Sequence, residues 1–180
     1  MEKIVIDWRP TDLTNNRFEV SQSGQKIGKL TFVDSWAFKS SFESNQGCIN
    51  FTGNGFFGTA VDIKRDDEAR VGKIVPGIFG TSSLTLDNGL IFSFSTSFFK
   101  RGIKLSNERK EILLELKPPQ LRNAVKGLIL VTPHIDEIDS TLLIPAILYF
   151  NNFVTRRMLR TFLPISILLI LGMIALLKIV

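Results

Sequence analysis

One cysteine, Cys48, and one histidine, His134, are all that this 180-residue chain holds of the two side chains most used for zinc ligation and nucleophilic chemistry. Their scarcity excludes an internal disulfide, a histidine-based metal cluster and a relay between two histidines. The start, MEKIVIDWRP, lacks both the basic opening and the apolar core of a secretion signal, which puts the folded part on the cytoplasmic side. Charge of either sign is only mildly in excess, with a net of +5 and an isoelectric point near 9.5. A basic block beside an apolar segment more often meets anionic lipid than nucleic acid, so nucleic acid is not an expected partner. The apolar share of 44% is high, but the long apolar runs lie mostly in roughly the last forty residues, and the remainder is composed like one ordinary globular domain.

Helical periodicity is also missing before Thr132. Apolar residues recur there at every second position, the mark of strands with one buried and one wet face. In LIFSFSTSFF, Phe92, Phe94 and Phe98 share a face opposite Ser93 and Ser95. EILLELK puts Ile112, Leu114 and Leu116 on one side with Glu111, Glu115 and Lys117 mostly on the other, and AVDIK sets Val61 and Ile63 against Asp62 and Lys64. Ser23-Gly24, Asn54-Gly55 and Asp87-Asn88-Gly89 supply turn chemistry between such runs. The spacing predicts about ten to twelve short strands in an antiparallel barrel or sandwich. Pro118-Pro119 reads as a crossover loop.

Two apolar segments follow. Leu142 to Val154 is greasy on every side, with Asn151 and Asn152 its only strongly polar members, so it must be enclosed all round. At about 1.5 Å per residue a helix of this length reaches roughly 20 Å, short of a hydrocarbon layer of about 30 Å. A barrel of this many strands is too wide to be filled by its own side chains, and a helix over about 136–155 suits the space. Asp136, Glu137 and Asp139 at its start and Arg156, Arg157 and Arg160 at its end complement the helix dipole. Pro145 kinks this helix if it begins near Asp136 and only perturbs its first turn if it begins near Thr141. Phe162 to Val180 carries no charge until Lys178 and is long enough to span a bilayer, with burial as a second core helix the alternative. The sequence therefore divides into a β-barrel domain with a central helix at 1–155, a basic juxtamembrane segment at 156–161 and a transmembrane helix at 162–180. The arginines on the near side orient the domain toward the cytoplasm.

A long series of short antiparallel strands rich in Gly and Phe, closed by DEIDSTLLIPAILYFNNF, resembles the Tubby C-terminal-like superfamily, which includes the phospholipid scramblases and the LURP-one-related proteins. GQKIGKLTFVDSW and ARVGKIVPGIFG carry the local likeness: a turn, a Gly-bearing strand, then an aromatic residue. The resemblance covers about residues 1–155 and implies a twelve-stranded closed antiparallel barrel around a hydrophobic α-helix. The chain departs from the family layout in its apolar tail, and from the scramblases in lacking their acidic calcium loop and cysteine run, so the resemblance transfers the fold and no functional residue.

No motif supports catalysis. GNGFFG (Gly53 to Gly58) matches G-x-G-x-x-G, but the glycines lie between strands with no helix after them, which fits a hairpin and not a dinucleotide site. AVDIK lacks the rest of a kinase signature. His134 falls near the predicted helix start, Cys48 reads as a small strand residue, and Asp66, Asp67 and Glu68 as a solvated hairpin tip. No enzyme activity, cofactor or metal is expected. The chain between Lys100 and Lys126 is rich in Lys and Arg, most simply as solvated strand faces. The functional alternative is contact with anionic headgroups through Lys100, Arg101 and Lys104 together with Arg156, Arg157 and Arg160. The expectation is a membrane-anchored binding or scaffold module, with anionic-lipid recognition or scramblase-like lipid handling as its rival.

Overall fold

A computed structural model describes residues 3–34, 37–54, 60–66, 69–77, 81–97, 102–119, 126–133, 135 and 140–156. Twelve strands are formed: β1 (Ile4–Pro10), β2 (Arg17–Gln22), β3 (Gln25–Phe32), β4 (Lys39–Ser44), β5 (Gly47–Asn54), β6 (Ala60–Arg65), β7 (Arg70–Val75), β8 (Thr81–Leu86), β9 (Ile91–Ser97), β10 (Gly102–Asn107), β11 (Ile112–Lys117) and β12 (Gly127–Val131). Each pairs antiparallel with the strand before it, and β12 returns to β1 with Ile6 opposite Ile129, closing the barrel. A helix, α1, occupies 140–156.

Alternation fixes which side chains point inward. Val61 and Ile63 are fully buried while Asp62 and Lys64, which alternate with them, are not; Phe92 and Phe94 are buried while Ser93 and Ser95 are exposed. The inward residues of all twelve strands converge on α1, whose residues from Leu142 to Phe150 are buried without a break. Successive helical residues point about 100° apart, so neighbours reach different walls. Tyr149 stacks on Phe51 of β5 with ring centroids 4.5 Å apart, and Phe150 stacks on Phe94 of β9 at 4.2 Å. An all-apolar helix inside a wide barrel solves both problems at once: the strands gain a core and the helix loses contact with water.

Two expectations change. Ile112 is 43% exposed, because the register slips between Leu105 and Ser106; Leu105 faces Leu114 but Ser106 faces Ile112, so an extra residue bulges β11 and Leu113 turns inward instead. Pro118-Pro119 does not begin a crossover, since β11 and β12 are antiparallel neighbours. Within the described residues α1 runs from 140, and Pro145 lies buried inside it; Asp136, Glu137 and Asp139 lie outside the described residues, as do Phe98 and Gly55.

The barrel has two unlike ends. One is built from the tight connections 23–24, 45–46, 66–69, 87–90 and 108–111, and is called here the hairpin end. The other holds the 11–16 loop, residues 33–34 and 37–38, and the strand ends Asn54, Ala60, Val75, Thr81, Ser97, Gly102, Lys117 and Gly127, and is where α1 leaves the interior.

Candidate functional site

With α1 occupying the barrel and its residues from Leu142 to Phe150 buried against the strands, the search for function turns to the outer surface and the two ends. The helix-exit end is organised around two loops. In 11–16 the Asp12 carboxylate accepts hydrogen bonds from the backbone N–H of Asn16 at 2.9 Å and Arg17 at 3.0 Å and from the Thr14 hydroxyl. The Thr14 hydroxyl first, then the two backbone donors and the Arg17 charge, outweigh partial desolvation and hold the Asp12 carboxyl below its ordinary range. In 33–38 the Asp34 carboxylate accepts from the N–H of Phe38 at 3.1 Å and Lys39 at 2.6 Å. Both loops thus fold on an aspartate that satisfies turn amides.

α1 then ties the loops together. The Arg156 guanidinium donates to the Asn15 carbonyl at 2.7 Å, to Asn16 Oδ1 at 2.9 Å and to the Asp34 carbonyl at 3.3 Å, and lies 4.4 Å from the centre of the Phe32 ring. Its planar fork with five donors is suited to gathering several carbonyls at once. About two helical turns below, the Tyr149 hydroxyl donates to the Ala37 carbonyl at 2.8 Å. Ala37 is fully buried with a left-handed φ of 59°, a conformation that alanine does not favour and that this bond helps to hold. Burial, followed by the Asp34 charge, pushes the Tyr149 hydroxyl well above its ordinary pKa, so it stays a donor. The reading of the sequence missed both residues as loop anchors. The signal available for Tyr149 was its status as the chain's one tyrosine set in an apolar segment, because a buried phenol needs an acceptor.

Around this core the rim is polar and apolar in turn. Leu13 at the tip of 11–16 is 103% exposed and Val33 in 33–38 is 74% exposed. Arg17, Lys39, Lys117 and Lys126, at strand ends on the same rim, are all exposed. Of the residues singled out from sequence, Lys104 is exposed on the outer face of β10 and Arg156 is half-buried in the loop contacts above. Lys100 and Arg101, between β9 and β10, and Arg157 and Arg160, after α1, lie outside the described residues, as does Phe162 to Val180. Among the described residues no helix is long and apolar enough to cross a membrane.

The remaining chemistry is structural. Burial first, then the carboxylates of Asp66 and Glu43, raise the Cys48 thiol above its ordinary value, the opposite of what a reactive cysteine needs. Asp66 is not simply solvated: its carboxylate accepts from the Cys48 N–H at 2.9 and 3.0 Å, bracing the β4–β5 turn. Asp67, Glu68 and His134 lie outside the described residues, and no group of three or more His, Cys, Asp or Glu able to hold a metal occurs among the described ones. A depression of about 300 Å³ on β3 and β4, lined by Lys26, Ile27, Lys29 and Glu43 among others, carries charge of both signs.

No family model and no curated protein matches the sequence. A solved X-ray structure of a protein from Arabidopsis thaliana is similar in fold, with 12% sequence identity, a TM-score of 0.55, and coverage of 82% of this chain and 92% of the other. At that identity the likeness speaks for the fold alone.

Proposed function

We propose that the chain is a non-catalytic binding module, tethered to a membrane by Phe162 to Val180 with its barrel on the cytoplasmic side, and that it recognises anionic lipid. The observation that carries this reading is the filled interior. A barrel whose lumen is taken by α1 can act only through its exterior, and the exterior where α1 emerges is basic, with Arg17, Lys39, Lys117 and Lys126 exposed and both loop aspartates already engaged by backbone donors. Each Lys or Arg held near an anionic surface contributes about 1 kcal/mol. A tether that brings the barrel to the surface makes such weak contacts effective, since docking then needs no encounter from solution. The same filled interior argues for recognition over scramblase-like transport, because it offers a lipid no path through the barrel.

Two measurements on the full chain test the reading. Alkaline carbonate extraction of membranes from cells expressing the protein should leave it in the pellet; release to the supernatant would remove the tether. In vesicles, amide exchange around Arg17, Lys39 and Lys104 should slow when phosphatidylserine replaces part of the phosphatidylcholine, and the slowing should fade as salt is raised. Equal exchange in both lipids would leave protein scaffolding as the better account.

A further inference from the structure

The geometry points to a fixed orientation on the lipid surface: the helix-exit end is the face of the barrel that rests on the anionic bilayer, with Leu13 and Val33 dipping into the boundary between headgroups and acyl chains. The inference rests on the tethered lipid-binding reading above and adds to it which surface does the binding.

Three observations converge on that face. Leu13 and Val33 are the two most exposed large apolar side chains among the described residues, at 103% and 74%, whereas the others exposed, among them Leu90, Ile91 and Ile112 toward the hairpin end, are at 40 to 47%. They also sit together, because the single Arg156 guanidinium bonds to Asn15 and Asn16 in one loop and to Asp34 in the other. An apolar tip gains nothing by exposure to water, while the same tips on a rim that also carries exposed Arg17, Lys39, Lys117 and Lys126 match the layering of a bilayer surface, with anionic headgroups outside and hydrocarbon within.

The second observation is where α1 leaves the barrel, with Arg156 against the 11–16 and 33–38 loops. Arg156 is at this end, and five residues separate it from the apolar segment that begins at Phe162. At a maximum of about 3.6 Å per residue such a linker spans at most roughly 20 Å. A membrane entered at Phe162 therefore lies close to the helix-exit end and cannot reach around to the hairpin end.

The third is compositional. By sequence alone, the segments joining β5 to β6, β7 to β8 and β9 to β10 read GFFGT, PGIFG and FFKR, whereas those joining β2 to β3, β4 to β5, β6 to β7, β8 to β9 and β10 to β11 read SG, NQ, DDEA, DNGL and ERKE, with Leu90 their one large apolar residue. Aromatic and basic residues together are the composition of segments that settle at the membrane interface.

Site-specific depth measurement tests the assignment. In the full chain carrying Cys48→Ser, single cysteines are introduced as Leu13→Cys, Val33→Cys and, at the hairpin end, Asn88→Cys, then labelled with an environment-sensitive fluorophore. All three positions are exposed, so equal denaturation midpoints should show that folding is retained. The proteins are reconstituted into phosphatidylcholine–phosphatidylserine vesicles with or without lipids spin-labelled near the headgroup. Labels at 13 and 33 should shift to shorter emission wavelength and lose intensity to the quencher, while the label at 88 does neither. Quenching at 88 with none at 13 and 33 would invert the orientation and overturn the inference. Equal quenching at all three would show the fluorophore itself partitioning and would equally remove the support for a built face. Absence of quenching in protein that floats with the vesicles would overturn the docking face while leaving the tether intact. Protein that fails to float would overturn the tether, and this inference with it.

Discussion

At the hairpin end the chain looks after its own backbone. Ser23 and Gly24 turn β2 into β3 with left-handed φ values of 50° and 80°, the Asn88 side chain accepts from Leu90 two residues on, and Asn107 accepts from Glu111 four residues on. At the helix-exit end the loops depend on α1: the bonds from Tyr149 to Ala37 and from Arg156 to Asp34 and Asn15 span 112, 122 and 141 residues. The hairpin end rests on bonds within and between neighbouring hairpins, whereas the helix-exit loops add bonds from α1 to those of their own aspartates. The loops carrying Leu13 and Val33 are therefore coupled to the element that leads into the apolar tail, which is the coupling a surface-docking end requires.

The strongest challenge to this contrast is Tyr149→Ala. Removing a ring stacked between Phe32 and Phe51 opens a core cavity and should destabilise the protein by about 3–5 kcal/mol, read from denaturant unfolding. Tyr149→Phe separates packing from bonding. It keeps the ring and leaves the Ala37 carbonyl without its donor, at about 1–3 kcal/mol. Hydrogen exchange in that variant should quicken in 33–38 and stay unchanged at 23–24; equal quickening at both ends would refute the division.

Glycines at the two ends give a smaller and sharper comparison. A Cβ on Gly127 would run into the Trp8 ring directly opposite, whereas one on Gly24 meets open space but must accept a φ of +80°. Gly127→Ala should cost about 1–3 kcal/mol through overpacking, and Gly24→Ala about 1 kcal/mol through backbone conformation alone. Restoring space with Trp8→Phe should recover part of the first loss and none of the second, as a double-mutant cycle on unfolding would show. Smaller again is Arg156→Lys, which keeps the charge and loses the fork. A loss of about 1 kcal/mol with faster exchange at Asn16 and Phe38 is expected, and no change at those amides would mean that the loops close without the helix.

What could be read from sequence follows the same division. Alternation exposed the strand faces wherever the ladder is regular, as at Val61 and Ile63 or Phe92 and Phe94, because each position depends only on its immediate neighbours. It failed at Ile112, where the β11 bulge shifts the period by one residue, and at Pro118-Pro119, where two prolines that cannot join a ladder stand between strands that nonetheless pair. Leu142 to Phe150 could be read as enclosed because no face of it is wet. The anchors of the helix-exit end could not be read, since Arg156 looks like any basic residue after an apolar run until Asn15 and Asp34 are brought beside it. Asp66 escaped for the same reason, being read as a solvated tip when its partner is the amide of Cys48 in another hairpin.

The mildest probe is pH, read at the loop that Asp12 closes. Asp12 closes its loop with a carboxylate whose pKa the fold lowers, chiefly through the Thr14 hydroxyl and then the N–H groups of Arg17 and Asn16. A depressed carboxyl pKa stabilises the fold above the unfolded value near 3.8, and that contribution is lost as pH falls through the lower folded value. The Asn16 and Arg17 amides should therefore keep their neutral-pH shifts down to about pH 4 and move only below it. At the hairpin end the Gln46 amide is held by the uncharged hydroxyl of Ser44, which does not titrate, so its resonance should stay still over the same range. Asp12→Asn keeps an oxygen acceptor but removes the proton equilibrium, and in that variant the Asn16 and Arg17 titration should vanish. Should those amides move instead with an ordinary aspartate midpoint, or persist in titrating in Asp12→Asn, the carboxylate would not be what closes the loop that presents Leu13.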